Sequence, residues 1–157
     1  MPKVRPVPEG YRTVTPYLTI KDAARAIEFY RKAFGAQVLI NMTGPEGKLM
    51  HAEIKIGDSI VMLSDECPEM GSKSPDSLKG TPTMLYLYVD NVDAFFDKAV
   101  KAGAKVERKV EDQFYGDRSG TLLDPFGHRW GVATHVEDVS PDELQRRQEK
   151  LFATAKH

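Results

Sequence analysis

His51 and Glu53 stand two positions apart in Leu49-Met-His-Ala-Glu-Ile-Lys-Ile56, so in an extended strand they share a face. An imidazole beside a carboxylate can move a proton in general acid–base chemistry or share a divalent ion. It can equally be a hydrogen-bonded pair on a wet strand, and both readings stand at this level. Tyr115-Gly-Asp117-Arg118 is a second grouping. An arginine fixed beside an aspartate can hold a carboxylate or phosphate through parallel N–H donors, or simply pin a loop. A third set alternates along two strand-like segments: Thr15, Tyr17 and Thr19, then Met84, Tyr86 and Tyr88. Such hydroxyls and rings suit a small planar or amphipathic ligand, and they also suit ordinary packing. Other chemistries are disfavoured. Cys67 follows Asp65 and Glu66 and has no base near it in sequence, which argues against a nucleophilic thiolate. There is no Gly-rich phosphate loop, no Gly-x-Ser-x-Gly turn and no His-Glu-x-x-His helix.

The elements that must position these groups repeat. In the first half, Val14 to Ile20 alternates as a strand, with Val14, Leu18 and Ile20 on one face. Asp22 caps a helix carrying Ala26, Ile27, Tyr30, Ala33 and Phe34, which Gly35 ends. Strands follow at Gln37 to Thr43, Leu49 to Ile56 and Ser59 to Ser64, the last two joined by a Gly57-Asp58 turn. On Leu49 to Ile56, Met50, Ala52, Ile54 and Ile56 form the apolar face expected under the helix. In the second half, Met84 to Val89 is a strand, and Asp90 or Asn91 caps a helix carrying Val92, Phe95, Phe96, Ala99 and Val100. Lys105 to Val110, Gly116 to Leu123 and Arg129 to Thr134 are strands, with Asp124-Pro-Phe-Gly127 a turn and His128 exposed just past it. Setting Ile20 against Val89 also sets Asp22 against Asn91, so the chain reads βαβββ twice. The fold class is α+β: two tandem modules in a curled, mostly antiparallel sheet around a cavity, helices outside, with an extra C-terminal helix.

The 157 residues, 41% hydrophobic and 29% charged, are enough for one domain with a packed core. Residues 1–12 read as an extended arm, 13–65 as module one, 66–82 as a polar linker, 83–136 as module two and 137–157 as a helical tail. Ser140-Pro141-Asp142-Glu143 is a strong start for that tail helix, whose Leu144, Leu151 and Phe152 can dock on the domain or on a partner subunit. A net charge of -1 gives no general electrostatic grip on nucleic acid or an anionic membrane. One cysteine excludes an internal disulfide, no apolar run reaches a membrane span, and residues 1–8 lack the apolar core of a signal peptide. A cytoplasmic setting is expected.

Five segments in order carry a family resemblance: Tyr17-Leu-Thr-Ile-Lys-Asp22, Ala26-Ile-Glu-Phe-Tyr-Arg-Lys-Ala-Phe-Gly-Ala36, His51-Ala-Glu-Ile-Lys-Ile-Gly-Asp-Ser59, Tyr115-Gly-Asp-Arg-Ser-Gly120 and Asp124-Pro-Phe-Gly-His-Arg-Trp130. Over roughly residues 12–136 the chain resembles the vicinal oxygen chelate superfamily, which includes glyoxalase I, extradiol dioxygenases, and bleomycin and fosfomycin resistance proteins, and within it the PhnB-like branch. The fold hosts many chemistries, so function must be argued from the site. Metal-dependent relatives carry His, Glu or Gln at four strand positions. The resemblance places those positions near Thr15, Met62 or Ser64, Met84 and Gly131, and none of these is an imidazole or carboxylate. No cofactor is therefore expected, with a divalent metal as the alternative. The resemblance also implies a homodimer. The expected function is binding of a small organic ligand at Thr15, Tyr17, Met84, Tyr86, Tyr88, Tyr115, Asp117 and Arg118. The alternative is a lyase or isomerase of the glyoxalase type, with His51 and Glu53 as the acid–base groups.

Overall fold

Strand β1 (Tyr17–Ile20), helix α1 (Ala23–Phe34) and strands β2 (Gln37–Thr43), β3 (Leu49–Ile56) and β4 (Ser59–Asp65) make up the first module in a computed structural model that describes residues 4–155. Its sheet runs β1-β4-β3-β2, with β1 parallel to β4 and the other pairs antiparallel. A short helix α2 (Pro75–Leu78) precedes the second module: β5 (Met84–Tyr88), α3 (Val92–Ala102), β6 (Lys105–Asp112), β7 (Asp117–Leu123) and β8 (Arg129–His135). Its sheet runs β5-β8-β7-β6 with the same parallel and antiparallel pattern. Helix α4 (Pro141–Thr154) ends the described chain. Among the described residues no helix is long and apolar enough to cross a membrane.

The local signals explain the elements. Asp22 accepts from the Arg25 backbone N–H at 3.3 Å and Asn91, rather than Asp90, accepts from that of Ala94 at 3.0 Å, so the two helices start on equivalent caps. Strand β1 begins at Tyr17, later than the alternation from Val14 predicts. Pro16 has no N–H to donate, and Val14 stays exposed instead of joining Leu18 and Ile20 in the core. On β3, Ala52, Ile54 and Ile56 are buried under α1 as expected, but Met50 is exposed; it lies against Gly44 at the β2–β3 turn, outside that buried face.

The linker 66–82 is built rather than loose. Glu66 accepts from the Ser74 N–H at 2.8 Å and from the Ser77 hydroxyl, Ser74 caps α2, and Cys67 bridges to Ser72. Hydrogen bonds from Ser74, side chain and backbone, and then from Ser77 lower the Glu66 carboxyl to about 2. A depressed folded-state value contributes stability that is complete above the ordinary carboxyl value near 4.5 and is lost as pH falls through about 2. Glu66→Gln is therefore expected to flatten the acid side of the stability curve between those limits, measured as thermal midpoints across pH. An unchanged acid slope refutes the anchoring role.

Each helix packs on one face of its sheet and the two helices pack on each other, so both modules share one core. Phe34 stacks on Phe95 at 5.4 Å and meets Trp130 edge-on at 4.8 Å, and Phe29 meets Phe126 at 6.2 Å. This has a geometric result for the cavity. Leu18 and Ile20 of β1, and Leu85 and Leu87 of β5, face that shared core. The alternating residues Tyr17, Thr19, Met84, Tyr86 and Tyr88 therefore face away from it on either side. Each module thus offers an outward-facing half-cup, and at the edge of the second, Tyr86 and Tyr88 also line a cavity of about 630 Å³ with Ile56 to Ser59 of the first module.

Candidate functional site

The first half-cup is organised by Glu53, 5% exposed on β3. One carboxylate oxygen accepts from the Tyr11 hydroxyl of the N-terminal arm, and the other is 3.1 Å from His51 Nε2. His51 Nδ1 lies 3.3 Å from the Tyr17 hydroxyl, and the two rings are 5.7 Å apart. A carboxylate only accepts, so the tautomer that fits has Nε2–H donating to Glu53 and Nδ1 accepting from Tyr17. The result is a hydrogen-bonded chain Tyr11–Glu53–His51–Tyr17, which the spacing of His51 and Glu53 marked in part. Tyr11 is new to it, since its approach depends on the path of the arm. The arm covers a cavity of about 430 Å³ lined by Val7, Tyr11, Arg12, Thr15, Glu53 and Met62. Thr15 itself donates to the Arg12 carbonyl at 3.0 Å.

The second half-cup is set by small residues on β8. Tyr86 pairs with Gly131 and Tyr88 with Ala133 across the parallel β5–β8 ladder. With so little side chain beneath them, the tyrosines lie across β8 toward β7. A Cβ on Gly131 would come within 2.4 Å of the Tyr86 ring, and the Tyr88 hydroxyl donates to Asp117 at 2.9 Å. Tyr86 and Tyr88 are tilted against each other with centroids 5.3 Å apart. Ser119, fully buried beneath this layer, accepts from Arg108 Nη2 at 3.3 Å. Burial raises the Tyr86 hydroxyl above its ordinary value, opposed by a hydrogen bond with Ser119; the bond to Asp117 does the same for Tyr88. Asp117, 5% exposed, also lies 2.8 Å from His135 Nδ1, so His135 joins the site although its position at a strand end gave no such signal.

The Tyr115-Gly-Asp-Arg118 grouping divides. Gly120 faces α3, where a Cβ would lie 2.7 Å from the Phe96 ring, so Ser119 and Asp117 face the half-cup and Arg118 faces the helix. Arg118 donates to both Asp93 oxygens at 2.8 Å and to Asp112 at 3.1 Å, pinning α3 to β6 and β7. Arg118 is thus separated from the other candidate residues by the thickness of the sheet. Gly116 has φ +99, and its carbonyl accepts from Val136 and Glu137, which brings the chain after β8 against the β6–β7 turn beside half-exposed Tyr115. His128, expected to be exposed, is half-buried with Nε2 3.1 Å from the Thr19 carbonyl. The tail helix is held by Arg147, which donates to Glu137, Glu143 and the Phe114 carbonyl, while Leu151 and Phe152 remain exposed.

The metal positions implied by the resemblance do not fit a divalent ion. Thr15, Met62 or Ser64, and Met84 offer hydroxyl and thioether groups, and at Gly131 the Tyr86 ring fills the space a ligand side chain needs. Among the described residues no three His, Cys, Asp or Glu side chains are grouped to hold a metal. The glycine is testable. Gly131→Ala is expected to lower stability by about 1–3 kcal/mol through overpacking against Tyr86. Most of that loss should vanish in a Tyr86→Ala background, measured as a double-mutant cycle on chemical denaturation. Equal losses in both backgrounds would show that the ring does not occupy the position.

Comparison with known proteins agrees with the doubled topology. The profile of the Glyoxalase/Bleomycin resistance protein/Dioxygenase superfamily matches residues 12–132. An uncharacterised protein of Mycobacterium bovis is 49% identical over 135 residues, covering 84% of this chain and 89% of that one. Among solved structures, TioX from Micromonospora sp. ML1 is 26% identical, with a TM-score of 0.63 over 80% of this chain and 99% of that one. The fosfomycin resistance protein FosX of Listeria monocytogenes, complexed with Mn(II) and sulfate, shares the fold at 13% identity, with a TM-score of 0.61 over 87% of this chain and 97% of that one. With the profile spanning most of the sequence and the βαβββ unit present twice, the chain belongs to the Glyoxalase/Bleomycin resistance protein/Dioxygenase superfamily.

Proposed function

We propose that this protein binds a small organic ligand, without a metal, in cavities formed when two copies bring their half-cups together. The observation that carries the reading is the tyrosine layer: Tyr86 and Tyr88 laid over Gly131 and Ala133, with hydroxyls directed at Ser119 and Asp117. Such a layer gives a flat apolar surface edged by hydrogen-bonding groups, the usual composition of a site for a planar ligand. A thermal-shift screen of aromatic antibiotics, 2-oxo thioesters and phosphonates, with and without divalent metals, tests it. Stabilisation by an organic compound in the presence of a chelator, lost in Tyr86→Ala, is the expected result. A requirement for metal would overturn the reading.

The chain Tyr11–Glu53–His51–Tyr17 favours a second reading, a glyoxalase-type lyase or isomerase with His51 and Glu53 as acid–base groups. Glu53→Gln keeps the shape of the pair and removes the base. If the protein is an enzyme of this kind, turnover of a ligand found in the screen should fall by about 10²–10⁴-fold while binding persists. Binding without turnover in either form supports sequestration.

A further inference from the structure

His135 lies between two carboxylates of very different standing. Its Nδ1 is 2.8 Å from Asp117, and its Nε2 is 2.8 Å from Asp138. Both partners only accept, so both ring nitrogens carry hydrogen and the ring is cationic. Asp138, and then Asp117, raise its ordinary value accordingly. Asp117 is buried on β7 and also accepts from Tyr88, so it fixes the ring beside the tyrosine layer. Asp138 sits on the connection from β8 to α4, its side chain is fully exposed, and among the described residues it bonds to His135 alone. Exposed pairs of this kind hold weakly.

We infer that the second half-cup takes a planar, carboxylate-bearing small molecule, its ring on Tyr86 and Tyr88 and its carboxylate on the His135 nitrogen that Asp138 now holds. This deepens the proposed function and rests on it. Asp138 then acts as an internal stand-in for the ligand's acid group, and the exchange replaces one carboxylate with another. The other charged groups on this face are largely balanced. From β6, Arg108 faces the same half-cup and is bonded to Ser119, and Glu111, which pairs with Ser119 across the β6–β7 ladder, faces it too. From β8, Arg129 is neutralised by Glu107 at 2.7 Å. From β7 comes only Asp117, while β5 and the β6–β7 turn contribute the hydroxyls of Tyr86, Tyr88 and Tyr115. With Asp138 turned out, Arg108 and His135 are balanced by Asp117 and Glu111, so the ligand's carboxylate is drawn by the freed His135 N–H rather than by a net positive field. A neutral ligand gains nothing at that nitrogen.

The test follows the ring signals of His135, Tyr86 and Tyr88 by NMR while sodium benzoate or neutral benzamide is added to the full chain and to its Asp138→Asn and His135→Gln variants. Benzoate is expected to move the histidine and tyrosine signals together. Removing the internal competitor in Asp138→Asn should tighten benzoate about two- to sixfold, because apparent affinity falls with the fraction of time a site is closed and an exposed pair closes it only weakly. His135→Gln should weaken benzoate and leave benzamide unaffected, and raising the pH through the titration of His135 should release benzoate alone. If both probes move the tyrosines equally while His135 stays still in Asp138→Asn, the carboxylate assignment fails and the tyrosine layer survives as a binding surface. If neither probe moves the tyrosines in any form, both readings fail. Unchanged benzoate affinity in Asp138→Asn overturns the stand-in role.

Discussion

Asp124→Ala is expected to leave little or no cooperative thermal transition. The Asp124 side chain is 3% exposed and accepts four hydrogen bonds. One oxygen takes the Tyr30 hydroxyl at 2.6 Å and the Trp130 Nε1–H at 2.9 Å; the other takes the backbone N–H groups of Phe126 and His128, each at 2.9 Å. Tyr30 and Trp130 are themselves almost wholly buried, so neither can turn to water when the acceptor is removed. Each buried donor left without a partner costs about 1–3 kcal/mol, so the Tyr30 and Trp130 donors, with a smaller loss from the two part-buried backbone N–H groups, approach the whole stability of a domain, about 5–15 kcal/mol. The carboxylate also joins the modules, since Tyr30 belongs to α1 and Asp124 to the β7–β8 turn. Asp124→Asn should lose less. It keeps an oxygen toward the two backbone donors, but its amide then faces the Trp130 N–H, which cannot accept. Tyr30→Phe, which removes one donor and leaves the other three satisfied, should cost only about 1 kcal/mol. Denaturant midpoints for the three variants check the order Ala, Asn, Phe from worst to mildest. A wild-type midpoint for Asp124→Ala would mean that the turn, not the carboxylate, holds the modules together.

Asp124 also shows where sequence reasoning stops. Asp124-Pro-Phe-Gly127 is legible as a turn because it is a local pattern. That the aspartate serves a tyrosine 94 positions earlier is not local. The same division holds across the molecule. Helix caps at Asp22 and Ser140 are readable, the third is narrowed to Asp90 or Asn91, and Ser74-Pro75 repeats the Ser140-Pro141 start closely enough to mark α2 inside the linker. Strand alternation alone was enough to separate Arg118 from Asp117, since neighbours in a strand face opposite sides. His135 is a different case: it meets Asp117 because those two residues pair directly in the β7–β8 register, and register is set by the whole sheet. The laying of Tyr86 over Gly131 likewise needs the parallel β5–β8 pairing, although a glycine and an alanine alternating on one strand opposite two tyrosines on another is a pattern that can be sought once the strand order is known.

The outward-facing half-cups lead to the other large effect, on assembly. The purified protein is expected to scatter light with twice the 17.6 kDa mass of one chain at micromolar concentration. Four strands lie at sheet edges: β1, β2, β5 and β6. Edge strands that stay in water are usually guarded by charge, and β6, Lys-Val-Glu-Arg-Lys-Val-Glu-Asp, is guarded in this way. β1, Tyr-Leu-Thr-Ile, β2, Gln-Val-Leu-Ile-Asn-Met-Thr, and β5, Met-Leu-Tyr-Leu-Tyr, carry no charge, and of these β1 and β5 carry the aromatic residues of the two half-cups. Tyr17, Met84, Tyr86 and Tyr88 are all exposed at those edges, an apolar and aromatic surface of the kind that closed assemblies cover. Setting β1 of one copy beside β5 of the other joins unlike half-cups at both ends of a two-fold axis, so the contact closes at two chains and leaves neither edge open. Tyr17→Glu and Met84→Glu together place a carboxylate on each side of that seam at positions 51% and 44% exposed, where the folded chain itself tolerates charge. The double variant should scatter as a monomer with its thermal transition retained, and it should lose the ligand-induced stabilisation that depends on a completed cavity. A wild-type monomer, or a double variant that remains a dimer, would show that β1 and β5 are not the seam. The site would then have to be built from one half-cup alone.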